Sequence, residues 1–203
     1  MRFRAAPSVV IVRREEKEGK LKDFIAEILA APVASSDQVP PPSCISVVAR
    51  SIDSPVIKAL AAVAAERGHL DARIALAVVD VPVDAVAAAL APISSACRHL
   101  ADPRHLHAHE QLILGGASCW IGDCMRREPA KRDAYEQYVR DCALTTAWAS
   151  TAFERLWSSA SPVLRARPQS VQPPVTPADL AAAAAALGVG GDLPPTTAAS
   201  TRH

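Results

Sequence analysis

The stretch CISVVARSIDSPVIKALAAVAAERGHLDARIALAVV, residues 44–79, decides the fold class. Cys44–Ala49 is a nearly unbroken apolar run of strand length, the pattern of a strand covered on both faces. Asp53-Ser54-Pro55 then supplies a helix start, a capping side chain followed by proline in the first turn. Val56, Leu60, Val63 and Ala64 share one face of the helix that follows, which stops at Gly68. Arg73–Val79 repeats the buried-strand pattern, and Pro82 to Ile93 reads as an Ala-rich helix. Strand, helix, strand, helix at this spacing is a βαβ signature. It predicts an α/β fold built on a mainly parallel sheet with flanking helices.

On the N-terminal side, Val9–Val12 reads as a short strand and Glu15–Ala31 as a helix. Leu21, Phe24, Ile25, Ile28 and Leu29 form its apolar stripe, with Lys and Glu residues opposite. Pro32 ends that helix, and Ser35-Ser36-Asp37 with Pro40-Pro41-Pro42 reads as a linker. On the C-terminal side, residues 105–114 (HLHAHEQLIL) and 118–122 (SCWIG) read as two strands joined at Gly115-Gly116. A polar loop at 123–129 leads into the longest expected helix, Ala130 to Ser158. Its stripe includes Tyr135, Tyr138, Val139, Cys142, Ala149, Phe153, Leu156 and Trp157. Trp120, Trp148 and Trp157 with Tyr135 and Tyr138 are the expected core anchors. Beyond Pro162 the chain is rich in proline and alanine, with one Ala helix at 178–187. The expected organisation is a strand, helix and linker over 1–40, an α/β domain over 41–162, and a largely disordered tail over 163–203.

A net charge of +1 gives no global field to recruit nucleic acid or an anionic membrane, so any polyanion contact must be local. Five cysteines, an odd and scattered set without CxxC, read as reduced thiols. No apolar run approaches the roughly 18 residues that a membrane span needs. The chain is expected to be cytoplasmic, and nothing in it calls for a cofactor.

Two clusters carry the candidate chemistry. His105, His107 and His109 alternate, so on one strand all three would share a face. Imidazoles so placed suit a metal, with Cys119 or Cys124 completing a tetrahedral set, or they form a solvated polar strand face. No established ligand spacing supports the metal. The second cluster is Arg126, Arg127, Lys131 and Arg132, four cations within seven residues. Arginine binds phosphate bidentately, and helix starts attract anions. Glu128 and Asp133 are in place to neutralise part of that charge. Few aromatics accompany the cluster, which argues against single-stranded nucleic acid.

The histidine-bearing strand, the Gly-Gly turn and Trp120-Ile121-Gly122-Asp123 follow two βα units. In this order the sequence resembles the phospholipase D-like superfamily, in which a strand carries His-x-Lys-x4-Asp, then Gly, then an apolar strand ending in Gly-Ser. Ile45–Ala49 with Ser51–Pro55 and the helix after it resemble that superfamily's opening strand and helix, and Arg73–Val79 its second strand. The resemblance covers about residues 40–160, one half of a typical duplicated enzyme. It implies a histidine nucleophile at phosphorus, a lysine that neutralises the phosphate oxygens, and a homodimer that supplies the second histidine. This chain departs from the motif in either register. With His107 as nucleophile, His109 and Leu114 fill the lysine and aspartate positions; with His109, they are Gln111 and Gly116. Loss of that cation removes transition-state stabilisation.

The reading is therefore a non-catalytic or altered phospholipase D-like module, expected as a homodimer, that binds an anionic, phosphate-bearing ligand or a protein partner. Its expected anion-binding residues are Gln111, Arg126, Arg127, Lys131 and Arg132, and nucleic acid stays among the candidate ligands. The alternatives are a phosphodiesterase using His107 or His109, a metal-dependent hydrolase using the His105–His109 cluster, and a plain protein-interaction domain. For the tail, amide exchange should be fast throughout 168–203; strong protection of 178–187 would contradict this expectation.

Overall fold

The computed structural model describes residues 9–30 and 45–163. Cys44, the linker and the tail from residue 164 onward lie outside the described residues. Along the chain come β1 (Val9–Val12), α1 (Lys17–Ala30), β2 (Ile45–Ala49), α2 (Pro55–Arg67), β3 (Ala72–Leu76), α3 (Val83–Leu90) and β4 (Ser94–His99). A 3₁₀ turn at Pro103–His107 precedes β5 (His109–Leu114) and β6 (Ser118–Cys124). A second at Pro129–Lys131 precedes β7 (Ala134–Val139), α4 (Ala143–Ser159) and β8 (Ser161–Pro162).

The strands form one sheet in the order β1-β7-β6-β5-β2-β3-β4-β8. The βαβα reading holds for its centre, where β2–β3 and β3–β4 are parallel. The sheet as a whole is mixed rather than mainly parallel, because the other five pairings are antiparallel. The physical reason is the turn at Gly115-Gly116, with Gly115 at φ 65°, which folds β6 back on β5. β1 adds to the edge beside β7, so the N-terminal strand belongs to the same sheet.

Side chains alternate across this sheet as the pleat requires. Val47, Ile74, Leu76, Leu112 and Trp120 face one layer with α1, α2 and α3, whereas Val48, Ala75, Ile113 and Cys119 face α4. The expected anchors Val47, Leu60, Ile74, Leu76 and Trp120 are all buried. Ser54 takes the N-cap position of α2 with Pro55 behind it, but its hydroxyl accepts the Ser51 N–H (3.2 Å) instead of capping the helix.

Three expectations are corrected. The long helix from Ala130 is in fact β7 followed by α4, broken at Asp141, whose φ of 51° lies in the left-handed region. On β7, Ala134 and Glu136 point inward while Tyr135 is exposed, so the stripe counted there belonged to two different periods. Trp148, at 71% exposure, is not a core anchor, nor is Tyr135; Trp157 is half-buried and stacks on Phe153. His105 and His107 do not share a strand face with His109. Asp102 caps the turn by accepting the Arg104 N–H (2.9 Å), Pro103 starts it, and the strand begins only at His109. β4, a polar run, was not anticipated.

Trp120 closes the sheet against α1: its ring is 2% exposed, and its Nε1 donates to Glu136 Oε2 at 3.2 Å. A Cβ at Gly122 would lie 2.5 Å from that ring, so the sheet admits only glycine there. Trp120→Ala should cost about 3–5 kcal/mol in denaturant unfolding; a melting temperature equal to the parent's would refute its anchoring role.

Candidate functional site

The site forms where the carboxyl ends of β2 and β3 meet the start of β5. Val48 pairs with Gln111, so two residues further along each strand Arg50 reaches the level of His109. The Arg50 N–H donates to Glu110 Oε1 at 2.9 Å. Its guanidinium turns outward and donates from Nη1 to the carbonyls of Met125 (2.7 Å) and Arg126 (3.4 Å). The loop after β6 is thereby fastened over the strand ends. Met125 N–H donates to Ala108 O, and Lys17 of α1 donates to the carbonyls of Pro129 and Arg132. Asp133 accepts the Arg14 N–H at 2.9 Å and forms no ion pair with the cluster among the described residues.

This fastening gathers all four cations of the cluster. Arg126, Arg127, Lys131 and Arg132 line one cleft of about 430 Å³, together with Arg50 and a single carboxylate, Glu128. A second pocket of about 280 Å³ shares Arg50, Glu128 and Lys131 with it, and adds Ser51, Asp53, Ser54 and Asp80. Within the cleft Lys131 pairs with Glu128 (2.7 Å) and Arg127 with Asp123 (3.2 Å). The side chains of Arg126 and Arg132 form no ion pair among the described residues, which leaves them available to an anion.

The remaining candidates are dispersed. His109 Nδ1 lies 2.8 Å from the Gly122 carbonyl; because a carbonyl only accepts, Nδ1 carries a proton, and in the neutral ring the lone pair is on Nε2. His107 is exposed in the 3₁₀ turn, and His105 approaches Ser159 (3.4 Å). Gln111 is 6% exposed within the sheet, its Nε2 has no hydrogen-bond partner among the described residues, and it does not line the cleft. Among the described residues no three His, Cys, Asp or Glu side chains converge as a metal site. Cys124 lies in hydrogen-bond contact with Leu106 O, not with a histidine.

Behind the cleft is a buried charge cluster that the sequence reading missed. Glu110 is fully buried, and loss of water raises its pKa to about 7, against the opposing Arg50 N–H. Glu136, also raised by burial, accepts from Trp120 Nε1 and Tyr138 Oη (2.7 Å). Lys17 is 1% exposed, and burial lowers its pKa. Only Arg50 carried a sequence signal, its place just past a buried strand's carboxyl end, where α/β folds bind ligands.

No protein-family model matches the sequence, and no characterised protein matches it. Among solved structures, Nuc from Salmonella typhimurium, a phospholipase D family member, superposes with a TM-score of 0.51 at 15% identity, over 77% of this chain and 98% of that one. The chain has the phospholipase D-like fold. NucT from Helicobacter pylori matches at TM-score 0.47 and 12% identity, over 77% of this chain and 98% of that one. The archaeal chromatin protein TrmBL2, described for its mode of DNA binding, matches at 0.46 and 13%, over 80% and 57%. No helix among the described residues is long and apolar enough to cross a membrane.

In this phospholipase D-like domain the Glu110 shift has a definite sign. The folded state holds a proton that the unfolded chain releases near 4.5, so stability falls as pH rises from there through about 7. Glu110→Gln should remove the Glu110 share of that slope, leaving only that of Glu136, and stabilise the protein above neutrality by on the order of 2–3 kcal/mol. Denaturation curves across this window check it; a parent-like slope in Glu110→Gln would refute it.

Proposed function

We propose that this domain binds a phosphate-bearing ligand in the cationic cleft and does not hydrolyse it. The observation that carries the reading is the cleft itself: Arg50, Arg126, Arg127, Lys131 and Arg132 line one space whose lining holds a single carboxylate, Glu128, with Asp123 pairing Arg127 from outside it. Guanidinium groups so gathered suit phosphate oxygens, and a partly enclosed cleft screens them less than open surface does. The position of His109 on β5 supports the register in which Gln111 replaces the lysine and Gly116 the aspartate. A buried carboxamide brings no charge to a pentacoordinate phosphorus, which supports binding without turnover.

One observation favours the rival reading, a phosphodiesterase. The Nδ1–H bond to Gly122 fixes the tautomer, so that in the neutral ring of His109 the lone pair is on Nε2, as a nucleophile needs. That mechanism would draw its cation from the cleft and its second histidine from another copy in a homodimer.

Bis(4-nitrophenyl) phosphate, a diester with one fixed negative charge, separates the two readings. Calorimetry should show binding that weakens with salt. Arg126→Ala and Arg132→Ala should each weaken it about tenfold, and Arg127→Ala and Lys131→Ala less, because their cations are already paired. His107→Ala and His109→Ala should change affinity only modestly, and no nitrophenolate should appear. Nitrophenolate release that vanishes in His109→Ala would overturn the binding reading and establish the enzyme.

A further inference from the structure

Lys17 does not line the cleft, yet its ammonium is spent on the loop that does. It stands in the first turn of α1, 1% exposed, and donates to the carbonyls of Pro129 and Arg132. Burying an ammonium is costly unless its surroundings repay it. Among the described residues no carboxylate is in ion-pair contact with it. Glu136, Glu110, Asp123 and Asp133 act from longer range. Its direct compensation is therefore the two carbonyls of one short segment. A neutral donor would satisfy those carbonyls without the desolvation cost. What lysine adds is reach from a neighbouring helix and positive charge behind a wall that already carries Lys131 and Arg132.

The loop needs such a tie. Its like charges repel, and Pro129 offers no N–H with which to anchor itself. Arg50 holds the first half through Met125 and Arg126, whereas Lys17 holds the second half through Pro129 and Arg132. We propose that Lys17 is the positioning residue of the cationic cleft, tying the 129–132 segment so that Lys131 and Arg132 stay on its wall. This rests on the anion-binding reading above. Because Lys17 is not a lining residue, its influence on a ligand must pass through the loop.

The test compares Lys17→Met with Lys20→Met, which removes the same charge from an exposed position on the same helix. Bis(4-nitrophenyl) phosphate affinity and amide exchange at 130–133 are the two readouts. Lys17→Met should weaken binding about tenfold or more and speed exchange in that segment, with β2 and β5 still protected. Lys20→Met should do neither. Parent-like affinity in a folded Lys17→Met protein would overturn the proposal. If Lys17→Met does not fold, Lys17→Arg decides: affinity and loop protection must be retained together or lost together, and lost affinity beneath a protected loop would overturn it. A parent that does not bind the probe defeats the anion-binding reading, and slowed or unchanged exchange in Lys17→Met defeats the tie.

Discussion

When Val48 pairs with Gln111, the antiparallel ladder carries Arg50 alongside His109 and brings its N–H within 2.9 Å of Glu110. Everything at the cleft follows from that register. β2 is buried on both faces, between parallel β3 and antiparallel β5. A slip of one residue would turn Glu110 toward α4 and drive Ile113 into the opposite layer, so packing on both sides forbids it. With the register fixed, Arg50 leaves the strand at one place only. From there its guanidinium meets the carbonyls of the β6–β7 loop.

The interior beneath that loop is costly. Glu110, Glu136 and Lys17 are each 2% exposed or less, and their pKa shifts all trace first to lost solvation. A domain whose whole stability is on the order of 5–15 kcal/mol feels such groups keenly. Part of the cost is recovered locally, through Trp120 and Tyr138 on Glu136 and through the Arg50 N–H on Glu110. Glu136 thereby ties β6 to β7, Glu110 ties β5 to the end of β2, and Lys17 ties α1 to the loop. Burial of charge here coincides with the place where backbone carbonyls of an irregular loop must find donors.

How much of this was legible depends on how local each signal was. β2, α2 and β3 could be read because apolar runs, Pro55 and Gly68 all mark the same boundaries. β7 could not: Tyr135, Tyr138 and Val139 satisfy a helical period as well as a strand's alternation, and only the fold decides that Tyr135 faces water. The alternating histidines looked like a strand face, but Asp102-Pro103 is a stronger local instruction and made a turn of two of them. The mixed sheet was hidden because hairpin turns say nothing about which strand becomes a neighbour. The cluster at 126–132 was visible as charge, whereas its convergence with Arg50 depended on tertiary contacts. Lys17 left no trace, since a lysine beside Glu16 and Glu18 reads the same whether its head group is buried or solvated.

With His109 in the nucleophile position, the resemblance places a lysine at the third residue of β5, where this chain has Gln111. A cation on a strand is held by the ladder itself and needs no further support. A cation on a loop is held only by what the loop's backbone can grip. Positive charge on the segment after β6 therefore creates a demand for donors aimed at loop carbonyls, and two cations from elsewhere in the fold, Arg50 and Lys17, meet it. Under the proposed reading, a cleft assembled this way would grip an anion from the rim instead of from the sheet, which suits retention of a ligand better than attack upon it.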